Sequence, residues 1–133
     1  MRPLVLAVGK PRICAQEIEG YARRLRVAGL GLGFVRKKEE LFTRSQGMRR
    51  VVLDERGRLF TTLGLARFLK GWEGERVAFL VADADGFGEE DRERADLLLS
   101  LSPLTLQHEL ALLVLLEQLY RIHTLWAGHP YHR

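Results

Sequence analysis

The chain has 133 residues, of which 47% are apolar and 29% charged, proportions that suit one globular domain spanning 1–133 around a single core. It contains no run of about 18 apolar residues, which excludes a membrane-spanning helix. The net charge of +4, carried by 21 Lys and Arg against 17 Asp and Glu, is compatible with a nucleic-acid partner, and equally with an Arg-rich surface that binds nothing.

The first apolar run, Pro3–Val8, is closed by Gly9 and reads as a buried strand. It is too short for the core of a signal peptide. The lone Cys14 has no internal disulfide partner, so a cytoplasmic protein is expected. Residues 15–29 place Ile18, Tyr21, Ala22 and Leu25 at helical spacing, with Gly29 as the stop. Residues 30–36 alternate as a second strand, and the charged stretch 37–50 reads as a connection with room for one helical turn. Residues 50–54 form a third strand, followed by a turn at Glu55–Gly57. Thr61 caps a helix that carries Leu65, Phe68 and Leu69. Residues 76–82 are apolar on both faces and read as the central strand. A loop at 83–88 leads into a charged helix that runs on into a short apolar segment near Leu97. Pro103 breaks the next stretch, and a long helix covers Leu110–Gly128. Strands alternating with helices predict an α/β domain with a mostly parallel sheet and helices on both faces.

The last helix is apolar around nearly its whole circumference, from Leu110 to Trp126. A helix of that kind must be buried on all sides. At the edge of so short a chain, the expected cover is a second copy across a two-fold axis. The helix leads into Gly128–Arg133, GHPYHR, an unusual density of aromatic and titratable groups for a chain end.

Those last segments resemble a known family. LSLSPLTLQHEL (Leu99–Leu110), EQLYRIH (Glu117–His123) and HPYHR (His129–Arg133) are similar to successive motifs of the ribosomal large-subunit RNA methyltransferase H family, within the SPOUT superfamily. LAVGK (Leu6–Lys10) and VVLDERGRLFTTLGLARFL (Val51–Leu69) resemble its first strand and its central strand, turn and helix. The resemblance implies a C-terminal deep trefoil knot and S-adenosyl-L-methionine as methyl donor. It also implies a homodimer in which the tail of one subunit completes the site of the other. The implied substrate is N3 of a pseudouridine in 23S rRNA of the ribosome, and no metal is implied.

Carried onto matching positions, the resemblance places donor binding at Leu53, Asp83, Gly86, Leu101, Ser102, Pro103, Leu104, Thr105, Leu106 and Gln107. Catalysis falls to His129, Tyr131, His132 and Arg133, and RNA contact to His108 and Arg121. A neutral histidine suits removal of the N3 proton, and His108, His129 and His132 are three candidates. The family loop Gly-Gly-Pro-Glu-Gly is replaced here by Ala82–Gly86, ADADG, and Leu112 stands where an arginine is usual. Gln107 replaces a proline and Gly128 an asparagine. These departures motivate an alternative, a diverged non-catalytic protein of the same fold that binds RNA or ribosomes. A flavodoxin-like small-molecule binder is a third reading, but no phosphate-binding glycine motif follows the first strand.

Overall fold

The computed structural model describes residues 1–132, so the expectation for Arg133 lies outside the described residues. Five strands form one sheet: β1 Arg2–Val8, β2 Gly31–Val35, β3 Arg49–Leu59, β4 Arg76–Val81 and β5 Leu97–Ser100. Five α-helices accompany them: α1 Ala15–Leu25, α2 Lys38–Thr43, α3 Thr62–Lys70, α4 Glu89–Glu93 and α5 His108–Trp126. The strand order is β2-β1-β4-β3-β5, and every pairing is parallel. Among the described residues no helix is long and apolar enough to cross a membrane.

Alternation along the strands splits the core into two layers. Val5, Ala7, Val51, Val77, Phe79, Leu97 and Leu99 face α1, α3 and α5. Leu6, Val8, Val52, Ala78 and Leu80 face the opposite side, where Leu41 and Phe42 of α2 and Phe87 cover them. β4 is buried on both faces from Val77 onward, as its continuous apolar run requires.

Two local expectations are corrected. The turn read at Glu55–Gly57 is an irregularity inside β3. Leu53 and Arg58 both pair with Leu99 of β5, and Asp54–Gly57 bulge out between them. The bulge works because residue 57 is glycine: a Cβ there would stand 2.6 Å from the backbone carbonyl carbons of Leu98 and Leu99. The apolar segment after α4 is the edge strand β5 and not a helical continuation.

α5 is covered only in part by its own chain. Leu112, Leu115, Leu116, Leu119 and Ile122 are buried within the chain. Leu113, Val114, Leu125 and Trp126 are only half-buried, and Leu110 is exposed. The chain therefore encloses one stripe of the helix and leaves a second apolar stripe at its surface. Leu112, which replaces the usual arginine, is a core residue.

Candidate functional site

A cleft of about 470 Å³ opens at the carboxyl edge of the sheet, beyond the ends of β4 and β5 and beside the β3 bulge. That is where open parallel sheets bind their ligands. Its walls come from three segments: Leu53–Arg56 of β3, the loop Ala82–Phe87, and the stretch from Leu99 through His108. Of the expected donor-binding residues, Leu53, Asp83, Gly86, Leu101, Ser102, Leu104, Thr105, Leu106 and Gln107 all line it, and so does His108. Pro103 stands outside the lining, at the exposed corner of a turn closed by Ser102 Oγ accepting from the Leu104 amide at 2.9 Å.

Each wall is fixed from within the chain. Asp83 Oδ1 accepts from the Asp85 amide at 3.2 Å, and the Gly86 amide donates to the Asp83 carbonyl at 3.0 Å. The resulting turn needs the positive φ of Gly86, +70°. Lys38 Nζ then donates to the Gly86 carbonyl at 3.2 Å. The ADADG loop is thus a self-closed turn, and its carboxylates line the cleft without filling it. Thr105 Oγ1 donates to Glu55 Oε2, which ties the loop before α5 to the β3 bulge. Gln107 Oε1 accepts from the amides of Glu109 and Leu110 and caps α5.

Two supports escaped sequence reasoning because they are distant in sequence. Arg92 Nε donates to Asp54 at 3.0 Å with only 20% and 6% of the two side chains exposed, and Arg92 Nη2 donates to the Phe87 carbonyl. A sheltered pair of this kind is costly to break from one side. Glu109 is buried, and its Oε1 accepts from the amides of Arg12, Ile13 and Cys14 at 2.7, 2.8 and 3.4 Å. The Ile13 amide foremost, with those of Arg12 and Cys14, holds the Glu109 carboxyl below the usual carboxylate range against the opposing effect of burial. Its stabilisation is therefore complete above the ordinary carboxylate pKa and is lost as pH falls through the depressed folded value. Glu109→Gln should lower the denaturant midpoint at neutral pH, and its deficit against the parent should shrink in strong acid. A deficit independent of pH would contradict this.

The tail lies elsewhere. Gly128 ends α5 at φ +72°, with the Gly128 amide donating to Leu125 and the His129 amide to Thr124. This is a Schellman closure, which glycine or asparagine serves, so the Gly128 departure keeps the geometry. Tyr131 stacks edge-on against Tyr120 at 4.7 Å and donates to Glu117 Oε2 at 3.1 Å, with its hydroxyl 3.3 Å from that of Tyr21. Hydrogen bonding with Tyr21, then burial, then Glu117 raise its pKa above the usual tyrosine value, so it stays a neutral phenol. Arg121 bonds Glu117 at 3.0 Å, lies over the Tyr131 ring, and approaches His132 Nδ1 at 3.1 Å. Among the described residues the His129 ring has no hydrogen-bond partner.

The expected site residues thus fall into two groups. α5 runs for 19 residues from His108 to Trp126, and the tail folds back along it only as far as Glu117, which leaves about 14 Å of helix between Tyr131 and the cleft.

The whole described chain, residues 1–132, matches the family described as "Predicted SPOUT methyltransferase". The chain belongs to the SPOUT methyltransferase family. A ribosomal RNA large subunit methyltransferase H from Thermus thermophilus is 66% identical over 136 residues, covering 100% of this chain and 99% of the relative. A protein of the same name from Paramagnetospirillum magneticum is 38% identical over 151 residues, again across 100% and 99% of the two chains. A solved structure described as a probable methylase family protein from Haemophilus influenzae superposes with a TM-score of 0.64 at 14% identity, covering 99% of this chain and 70% of that one. At that identity the likeness speaks for the fold alone. As a SPOUT methyltransferase the protein is an enzyme that uses a methyl donor, and its cleft is lined by apolar Leu53, Leu101 and Leu106 and by acidic Asp83 and Asp85.

Proposed function

We propose that this methyltransferase modifies N3 of a pseudouridine in large-subunit ribosomal RNA, on the ribosome in the cytoplasm, with S-adenosylmethionine as donor and as a homodimer. The full-length 66% identity to a ribosomal RNA large subunit methyltransferase H carries this reading. Bound S-adenosylmethionine supplies an electrophilic methyl group on a sulfonium. Leu53, Leu101 and Leu106 wall its adenine, while Asp83 and Asp85 favour its positive charge. The threading of the chain around the cleft as a trefoil knot belongs to the same reading, an exception to the general rule against knots.

The apolar stripe at Leu110, Leu113 and Val114, beside exposed Leu59 and Leu63, is the surface on which a second copy packs. Such packing delivers the tail of one subunit to the cleft of the other. There His129, whose ring is free of partners, accepts the N3 proton. His132 takes a donor at Nδ1 from Arg121, which leaves Nε2–H to donate to the base, and Tyr131 and Arg133 complete the tail's contacts. His108 and Arg121 stay with the RNA-facing parts of the reading.

The test is methyl incorporation from labelled donor into ribosomes from a strain lacking the modification. Wild-type protein should label the pseudouridine. His129→Gln should lower kcat by roughly 10²–10⁴ while leaving donor affinity unchanged. Absence of labelling by a folded protein that binds the donor would favour the non-catalytic alternative.

A further inference from the structure

The carboxyl edge of the sheet carries a second feature beside the cleft. In a parallel sheet all strands end on one side, so the loops after β2 and β1 stand next to those that form the cleft. Arg36 and Lys37 follow β2, Lys10 and Arg12 follow β1, and Arg56 projects from the β3 bulge into the cleft lining. All five are exposed. Among the described residues none of the five is in an ion pair, and exposed Arg2 and Arg76 at the amino edge share that state, so the two edges differ in where their free cations stand and not in whether they are paired. Four of the cations stand at the ends of β2 and β1, and the β4 loop with Asp83 and Asp85 separates them from Arg56 on β3.

The cations are also held in place. Three amides of the β1–α1 loop, those of Arg12, Ile13 and Cys14, converge on the buried carboxylate of Glu109. Glu109 adjoins His108, which lines the cleft, so the loop that displays Lys10 and Arg12 is pinned beside the reaction site. The Gly9 amide fixes the same loop to β2 through the Val35 carbonyl at 2.8 Å. Of the neighbouring acids, Glu39 is paired with Arg94 and Glu109 is spent on the loop itself, while Glu40 and Glu55 keep their charge beside Lys37 and Arg56. Asp83 and Asp85 line the cleft with Arg56, while the ends of β2 and β1 beside it carry the other four cations of the row and suit a polyanion.

We propose that the row Arg36, Lys37, Lys10, Arg12 and Arg56 binds the phosphate backbone of single-stranded substrate RNA and feeds the target nucleotide into the adjoining cleft. The proposal rests on the RNA methyltransferase reading and adds the surface on which the RNA lies. Phosphate contacts of this kind fix register and orientation without reading sequence.

The test compares two double variants that remove the same net charge. Lys10→Gln with Arg12→Gln alters the row. Arg2→Gln with Arg76→Gln alters two exposed arginines that are register partners at the opposite, amino edge. Binding of a labelled short polyuridylate is followed by anisotropy across a salt titration, with donor affinity measured alongside. Losing two single-strand phosphate contacts should flatten the slope of log Kobs against log salt by about 1.4. The amino-edge variant should keep the wild-type slope, and both should bind donor normally. Equal slopes for the two variants would overturn the proposal, as would a wild type without salt-dependent RNA binding. It would fall equally if the row variant weakened ribosome binding and left polyuridylate binding untouched, because the row would then serve a ribosomal protein. Failure of the methyl-transfer reading would look different: no methyl incorporation by wild type, with the slope difference between the variants still present.

Discussion

Gly57→Ala is expected to destabilise the fold by about 3 kcal/mol, the upper part of the usual range for overpacking. The added Cβ would sit 2.6 Å from two backbone carbons of β5 and 2.7 Å from the Leu98 oxygen. Backbone cannot swing aside as the end of a flexible side chain can, so β3 and β5 must separate. Their junction also carries Leu53 and Leu99, both in the cleft wall, so donor affinity should fall with stability. Urea unfolding should show a lower midpoint at unchanged slope. Gly20 in α1 provides the contrast: a Cβ there meets nothing within 4 Å, and Gly20→Ala should stabilise by roughly 0.5–1 kcal/mol. If Gly57→Ala is as stable as the parent, the close approach of β3 to β5 is not a constraint on this fold.

Deleting residues 129–133 is expected to abolish methyl transfer, by roughly a thousandfold or more, while leaving donor binding unchanged. The tail contributes the proposed proton acceptor and the groups that orient the base, and losing both removes proton transfer and positioning together. The cleft proposed for the donor is lined by residues between Leu53 and Ala111 and by none of the described tail residues. Within its own chain the tail is already ordered by Tyr21, Glu117, Tyr120 and Arg121. In the proposed dimer it would reach the partner as a shaped element rather than as loose chain, which lowers the entropic cost of completing the site.

The sequence pattern disclosed what depends on local periodicity. The continuous apolar run of β4, the Thr61 cap and the spacing of α1 need only neighbours in sequence to be recognised. The Thr61 hydroxyl does accept from the Gly64 amide at 3.0 Å. What stayed hidden depends on residues far apart. β5 is four residues long and is defined by pairing with β3. Gly57 looks like a turn residue until the backbone of β5 is laid against it. Glu109 reads as a surface charge at a helix start, and only the 95 to 97 residues spanned by its hydrogen bonds reveal it as the anchor of the β1–α1 loop. Asp54 and Arg92 are a similar case, 38 residues apart.

The candidate site followed the same division. Most donor-binding positions carried over by motif resemblance line one cleft, since motif order tracks the segments that converge at the carboxyl edge. Motif order says nothing of distance, however, and Tyr131 and His132 pack along the second half of α5, away from the cleft. Leu112 and Gly128 look like losses when matched to motifs, yet one fills the core and the other closes a helix.

Whether two chains share each site is tested most directly by complementation. A chain whose cleft is blocked, Leu53→Trp, is mixed and reassociated with a chain lacking residues 129–133. Each alone should be inactive. Random pairing should restore on the order of one quarter of wild-type methyl transfer, because half of the dimers join a sound cleft to a sound tail at one of their two sites. Mixtures as inactive as their components, from chains that do form mixed dimers, would contradict a site assembled from two subunits.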